Sequence, residues 1–302
     1  MNRHIRVVPA AWRTTAIALT LGASVLALPG AALAGSAPAN DSFSAATQIA
    51  YLPFEDSYVD NTSATLEDGE SDVGCFGDIG STVWYRISPS SSYAIRVRVV
   101  PVTDIDTVVA VFDGTSFDNL FAISCADEFT NHGTETAIAP LVGGRSYYIQ
   151  VGGWTHTSAN GQFTVKVKRA PGPANDHFAN SAALALGSLT TANTTTATLE
   201  AAESPPSCGP TIGRTVWYRY TPTTTRTLVA NTVGSGFDTI LAAYTGPSID
   251  SLTEVACNDD RPRVPDLMSK IRFTAIAGHT YYFQVGGFWA QGGDLVLRLK
   301  TP

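Results

Sequence analysis

The amino-acid sequence predicts an all-β protein made of two like domains in tandem. Three observations carry this reading. The apolar segments are short, rich in Val, Ile, Tyr and Thr, and separated by Gly, Asp and Asn, which is the patterning of strands and turns. Helical periodicity is nearly absent, with "FSAATQIA" (43–50) and "FANSAALAL" (178–186) the only candidates for short helical turns. The second half of the chain also repeats the first at an offset of 132–135 residues. Two copies suit self-contained domains better than a solenoid, which needs at least three units.

Residues 1–34 read as an export signal. Arg3, Arg6 and Arg13 precede a largely apolar, uncharged stretch (14–28), and Ala32, Leu33 and Ala34 supply a small-x-small cleavage pattern. Cleavage near Ala34 leaves domain one at 35–169, a connector at 170–174 and domain two at 175–302. No later stretch approaches the roughly 18 uninterrupted apolar residues of a membrane helix. The expectation is a secreted protein, extracellular or periplasmic, with no membrane insertion. The chain has 19 Lys and Arg against 26 Asp and Glu. Three of those arginines lie in 1–34, so the mature chain has 16 basic residues and a net charge of −10. That balance argues against nucleic acid or an anionic membrane, both of which need clustered Lys and Arg, and it suits a cation.

The repeat runs from end to end. "PANDSF" (38–43) is answered by "PANDHF" (173–178), "NTSATLEDGES" (61–71) by "NTTTATLEAAES" (193–204), and "GSTVWYRISP" (80–89) by "GRTVWYRYTP" (213–222). "IDTVVAVFDG" (105–114) matches "FDTILAAYTG" (237–246), and "SYYIQVGG" (146–153) matches "TYYFQVGG" (280–287). Pro171, Gly172 and Pro173 stop a strand and stiffen the joint. Each copy closes on an alternating strand. Phe163, Val165 and Val167 face inward in the first, and Leu295, Leu297 and Leu299 in the second.

Four cysteines follow the repeat. Of three possible pairings, only Cys75–Cys125 with Cys208–Cys257 keeps each bridge inside one copy, as expected for an exported chain. Free or metal-binding thiols are the alternative, although no C-x-x-C spacing is present. In "TVWYR" the alternation puts Val83 and Tyr85 on one face and Trp84 and Arg86 on the other, a sandwich strand with a large aromatic between the sheets. Trp154, Phe288 and Trp289 follow the "VGG" turns in loops where no strand pattern requires them. They are candidate ligand-binding residues, or contacts between the domains.

Catalytic signatures are missing. There is no G-x-S-x-G, H-E-x-x-H or G-x-x-x-x-G-K, and no histidine has a counterpart in the other copy. The expectation is a protein that is not an enzyme. The oxygen-bearing residues that recur in matched sets suit calcium, which takes six to eight oxygen ligands. One set joins Asn40 and Asp41 to Glu67 and Glu70, with Asn175, Asp176, Glu200 and Glu203 as its second copy. A second candidate cluster joins Asp106, Asp127 and Glu128 in domain one, and Asp238, Asn258, Asp259 and Asp260 in domain two. The alternative readings are an N-cap for the Asn-Asp pair and ordinary turn chemistry for "NDD".

Taken in order, "NDxFxxA … ATLExxES … TVWYRxxP … FDTxLAxYxG … VAxNDD … AGxTYYxQVGG" resembles the bacterial pre-peptidase C-terminal domain, in tandem over nearly all of the mature chain. The resemblance implies a jelly-roll-like antiparallel β-sandwich, a module usually appended to secreted proteases. That domain is similar in fold to the collagen-binding domains of clostridial collagenases, whose calcium ligands match Asn40, Asp41, Glu67 and Glu70, then Asn175, Asp176, Glu200 and Glu203. Acids that precede the Asn-Asp in those domains are Ser36 and Pro38, then Pro171 and Pro173, in this chain. Collagen is therefore not implied as the ligand. The reading is a secreted, non-enzymatic adhesion protein of two calcium-stabilised sandwiches, recognising an extracellular protein or polysaccharide. The alternatives are a carbohydrate-binding module using its loop aromatics, and a structural or secretion-aiding accessory without a ligand.

Overall fold

The computed structural model describes residues 35–70, 79–127, 133–155, 159–261 and 267–302. The expected export signal, Cys75 and Glu128 lie outside the described residues. Alternation of apolar and polar residues, broken by Gly, Pro and Asn, yields nine strands among the described residues of each copy. The first nine are β1 (Thr47–Gln48), β2 (Phe54–Asp60), β3 (Ile79–Ile87), β4 (Tyr93–Pro101), β5 (Thr107–Asp113), β6 (Phe121–Ala126), β7 (Glu135–Leu141), β8 (Tyr147–Trp154) and β9 (Gln162–Ala170). The second nine are β10 (Ala182–Ala183), β11 (Leu189–Asn193), β12 (Gly213–Tyr220), β13 (Arg226–Asn231), β14 (Thr239–Thr245), β15 (Thr253–Asn258), β16 (Lys270–Ala275), β17 (Tyr281–Gly287) and β18 (Asp294–Lys300).

Each copy is a sandwich of two sheets. In the first, a five-stranded sheet in the order β1-β3-β8-β5-β6 faces a four-stranded sheet in the order β2-β9-β4-β7. The second repeats both, as β10-β12-β17-β14-β15 and β11-β18-β13-β16. All pairings are antiparallel except the two-residue bridges β1 to β3 and β10 to β12, which are parallel. This is the all-β, two-sandwich architecture that the sequence predicts. The helical expectation shrinks to 3-10 turns at Phe43–Ala45 and Phe178–Asn180, because the residues that follow are taken up by the parallel bridges.

The core between the sheets includes Val83, Tyr85, Val97 and Phe163 in the first sandwich, and Val216, Tyr218, Phe283 and Leu297 in the second. Trp84 and Trp217 are fully buried too, but on the opposite face of their sheet from Tyr85 and Tyr218. A second, smaller core forms there. Trp84 packs with Phe112 and Tyr148 beneath Phe43 and Phe117, and Trp217 packs with Tyr244 beneath Phe178 and Leu252. The five-stranded sheet is therefore covered on both faces, and the start of each copy supplies the second cover.

Cys208 and Cys257 form a disulfide, with their Cα atoms 5.8 Å apart. It ties the long connection between β11 and β12 to the edge strand β15. Cys125 is also disulfide-bonded. Replacing Cys208 and Cys257 together by Ser is expected to cost about 2–4 kcal/mol in urea unfolding, because it releases a long loop in the unfolded chain. An unchanged midpoint would show that the bridge contributes nothing.

Candidate functional site

The first recurring set forms a clasp. Asn40 meets β3 at Trp84 twice: the Trp84 N–H donates to the Asn40 carbonyl at 2.8 Å, and the Asn40 Nδ2 donates to the Trp84 carbonyl at 3.1 Å. Asp41 accepts from Thr65, through Oδ1 from the backbone N–H at 2.6 Å and through Oδ2 from the hydroxyl at 2.9 Å. Glu67 Oε2 accepts the Phe43 N–H at 2.5 Å, so it caps the 3-10 turn from across the chain. Glu70 is fully buried. Its Oε2 accepts the Glu67 N–H at 2.7 Å, and its Oε1 accepts from Trp84 Nε1 at 2.8 Å, from Gln150 at 3.2 Å and from the Thr82 hydroxyl.

The second copy reproduces the clasp except at the indole, where Trp217 Nε1 is buried without a hydrogen-bond acceptor. Asn175 brackets Trp217 at 2.9 Å in both directions. Asp176 accepts from Thr198 at 2.6 and 2.9 Å, and Glu200 accepts the Phe178 N–H at 2.6 Å. Glu203 accepts the Glu200 N–H at 3.0 Å and Gln284 Nε2 at 2.8 Å. His177 Nδ1 lies 3.3 Å from Glu200 Oε1. The Asn-Asp pair is therefore not the N-cap of these turns. The turns are capped, but by Glu67 and Glu200, because Asp41 and Asp176 are already engaged with Thr65 and Thr198.

Burial sets the protonation of the deepest acids. It raises the Glu70 carboxyl above its ordinary value, against the pull of Thr82, Glu67, Gln150 and Trp84. In the second copy burial pushes Glu203 up to about 7, with hydrogen bonds from Thr215, Gln284 and the Glu200 backbone opposing it. The folded state therefore binds a proton more tightly than the unfolded chain. The stability from Glu203 is fully present below the ordinary glutamate range and is lost as pH rises through about 7. Unfolding midpoints measured from pH 4 to 8 are expected to fall over that window. Glu203→Gln, which keeps a neutral side chain at all pH values, is expected to flatten the fall.

The second candidate cluster is brought together in domain two. Carboxylate oxygens of Asp238, Asp259 and Asp260 all lie within 4.8 Å of one another. Asp238 Oδ1 and Asp259 Oδ1 are buried without a hydrogen-bond donor. Burial, then the charges of Asp260 and Asp238, push Asp259 up to about 6, and burial followed by Asp260 raises Asp238. Asn258 points its amide elsewhere, donating to the Asp260 carbonyl at 2.9 Å and accepting the Lys270 N–H at 2.7 Å. In domain one, burial and the charge of Asp106 raise Asp127. Buried carboxylate oxygens without donors fit a hard cation, whereas the clasp carboxylates already accept from N–H and O–H groups.

The acid trio is wired to the loop aromatics. The Asp238 carbonyl accepts the Phe288 N–H at 3.0 Å, and the Asp238 N–H donates to Gln291 Oε1 at 3.4 Å. The turn Phe288–Ala290 places Trp289 at φ 51 and Ala290 at φ 55, the left-handed region. Each such residue costs about 1 kcal/mol or more. Gly287 permits the turn, since a Cβ there would lie 2.1 Å from the Gln291 carbonyl. Arg214 secures it from β12, donating through Nε to the Ala290 carbonyl at 2.8 Å and through Nη1 to the Thr195 carbonyl. Its Nη2 donates at 3.0 Å to the Ile138 carbonyl on β7, in the other sandwich.

Trp289 stacks on Phe121 of the first sandwich, with ring centroids 5.7 Å apart and planes at 30°, and Phe288 meets it edge-on at 5.9 Å. Trp289 and Phe121 remain 55% and 51% exposed. Of the two readings of these aromatics, the contact between the domains holds for Trp289, which also keeps a face to solvent. Trp154 is half-buried at the end of β8, with its N–H on the Asp106 carbonyl at 2.8 Å. It occupies the place of Phe288, not of Trp289. Phe121 and Arg214 were not singled out from sequence. Phe121 has no aromatic counterpart in the repeat, and that asymmetry was the available signal.

No family model matches the chain, and no curated protein matches it in sequence. The resemblance to pre-peptidase C-terminal domains therefore rests on the motifs themselves. Among solved structures, the CUB1-EGF-CUB2 domains of rat MASP-1 align with 8% identity over 84% of this chain and 99% of that one, at a TM-score of 0.24. The N-terminal CBM22-1-CBM22-2 tandem of Paenibacillus barcinonensis Xyn10C aligns with 10% identity over 72% and 82%, at 0.23. The CBM32-1 and CBM32-2 domains of Clostridium perfringens ZmpB align with 7% identity over 83% and 92%, at 0.19. At this level the likeness says nothing about a ligand. Among the described residues no helix is long and apolar enough to cross a membrane, which does not bear on β-barrels.

Proposed function

We propose that this chain is a secreted, non-catalytic binding protein whose two sandwiches together present an aromatic platform to an extracellular polysaccharide or protein. The observation that carries the reading is the Phe121–Trp289 stack. Two large rings from different sandwiches lie side by side and stay half exposed, and Trp289 sits on a turn held in a costly backbone conformation by Arg214 and Asp238. A rigid, flat, amphipathic ring loses little entropy on contact, which favours such a surface for binding. A left-handed Trp-Ala pair is also a poor choice for a turn that only connects strands.

The reading includes calcium at Asp238, Asp259 and Asp260, where it would neutralise three converging carboxylates and stiffen the turn that carries Trp289. Millimolar calcium is then expected to raise the unfolding temperature by several degrees relative to EDTA, since a ligand at about 100-fold excess over its dissociation constant adds about 2.7 kcal/mol. Asp259→Asn should remove the shift, while Glu67→Gln and Glu200→Gln should keep it. Loss of the shift in the glutamate variants would move the ion to the clasp. No shift in the unaltered protein would remove calcium from this reading.

For the platform, the test is retention on insoluble cellulose, chitin and xylan and on immobilised extracellular-matrix protein. Trp289→Ala and Phe121→Ala are each expected to weaken retention at least about tenfold, as hot-spot aromatics do. Retention that survives both changes would place the ligand elsewhere. A protein that binds none of these matrices would favour the accessory role without a ligand.

A further inference from the structure

The strand register gathers the basic residues. In the first sandwich Arg96 lies directly opposite Lys168, and Arg98 opposite Lys166, on neighbouring strands β4 and β9. All four project from the outer face of the four-stranded sheet, where alternate residues turn inward to the core. In the second sandwich Arg272 and Lys300 flank Val229 in one row, and Lys270 and Arg298 flank Asn231 in the next, on the corresponding sheet. These four are exposed. Half of the 16 Lys and Arg that follow residue 34 thus stand on two equivalent faces of a net acidic protein.

Little opposes these charges. Lys166 pairs with Glu55 at 3.1 Å, the one ion pair among the described residues of the first face. In the second, Asp294 stands at the far end of β18 and accepts from Asn193 instead. Like charges directly opposite across a sheet destabilise it. Adjacent strands lie about 5 Å apart and successive rows about 7 Å apart, so each face is a small lattice of cations within one Debye length. On the first face a groove of about 240 Å³ runs between the cations, with Pro53, Phe54 and the Lys166-paired Glu55 along it.

We infer that these two faces bind a linear acidic polysaccharide through its carboxylate or sulfate groups, at a surface separate from the aromatic platform. Arginine forks suit both groups. A slim polyanion can lie along one face and avoid the acidic remainder of the protein. A membrane or a nucleic acid duplex would bring extended negative charge against that remainder as well. Single-stranded nucleic acid is bound by stacking its bases on aromatic rings, and the aromatic that lines the groove of the first face, Phe54, is partly buried against the core.

The experiment is affinity electrophoresis of the full chain through gels containing polygalacturonate, dextran sulfate or neutral dextran, at 50 and 300 mM NaCl. Retardation is expected with either acidic polymer, weaker at high salt, and absent with neutral dextran. The preference between the two acidic polymers would name the recognised group. Arg96→Gln/Arg98→Gln/Lys168→Gln and Arg272→Gln/Arg298→Gln/Lys300→Gln are each expected to weaken binding about tenfold, and their combination to abolish it. Unfolding temperatures should be unchanged or raised, because the side chains are outward and repel one another. Trp289→Ala should leave this binding intact, which separates it from the platform. No retardation by either acidic polymer at 50 mM NaCl would overturn the inference, as would undiminished binding by the six-site variant. Tighter binding to phosphatidylglycerol vesicles or to an oligonucleotide would overturn it too.

Discussion

A carboxylate buried beside a tryptophan organises each sandwich. Glu70 and Glu203 sit under the outer face of their five-stranded sheet, where burial is offset by the donors around them and by a raised affinity for a proton. Those donors come from three separate parts of the chain: the E-x-x-E turn, the strand that carries the tryptophan, and the central strand with Gln150 or Gln284. An unpaired buried carboxylate is costly, so these parts must arrive together. The short strings "PAND" then close over the top, with Asn40 and Asn175 bonded to the tryptophan backbone and Phe43 and Phe178 laid against the indole. The duplicated opening of the sequence is thus a cover for a second core.

The two copies share this device and diverge at the junction. Ser81 and Arg214 occupy the same left-handed bulge, at φ 51 and φ 50. Ser81 bonds Asn160 within its own sandwich, whereas Arg214 reaches the other one. Burial lowers the Arg214 guanidinium to about 10, still charged at neutral pH, and it serves three carbonyls at once. The Ile138 carbonyl belongs to β7, an edge strand, so Arg214 takes up one acceptor of an otherwise open row. The same contact sets Trp289 against Phe121.

Charge follows the same logic of placement. The chain as a whole is acidic, which from composition alone disfavours polyanionic partners. Folding sorts the residues so that acids line the clasps and the trio while half of the bases that follow residue 34 share two sheet faces. Net charge describes the sum of a surface and not its pattern. Two residues apart on a strand means one face, and opposite in register means adjacent, so a segment such as "IRVRVV" contributes two cations to a single patch.

By itself the sequence determined the strand-rich class, the duplication, the Cys208–Cys257 pairing and which residues recur in sets. Each of these is carried by local patterning or by comparing one half of the chain with the other. The tertiary structure decided what the sets do. Asn40, Asp41, Glu67 and Glu70 became a clasp because the partners Thr65, Phe43 and Trp84 lie within hydrogen-bond reach only after folding, while Asp238, Asp259 and Asp260 converged from separate strand ends. It also put the tryptophans of "TVWYR" on the outer face, paired Trp289 with Phe121, and brought the bases into rows. Those outcomes depend on long-range register and on contact between the sandwiches. Spacing along a chain does not encode them, because residues far apart in sequence meet only when the sheets have formed.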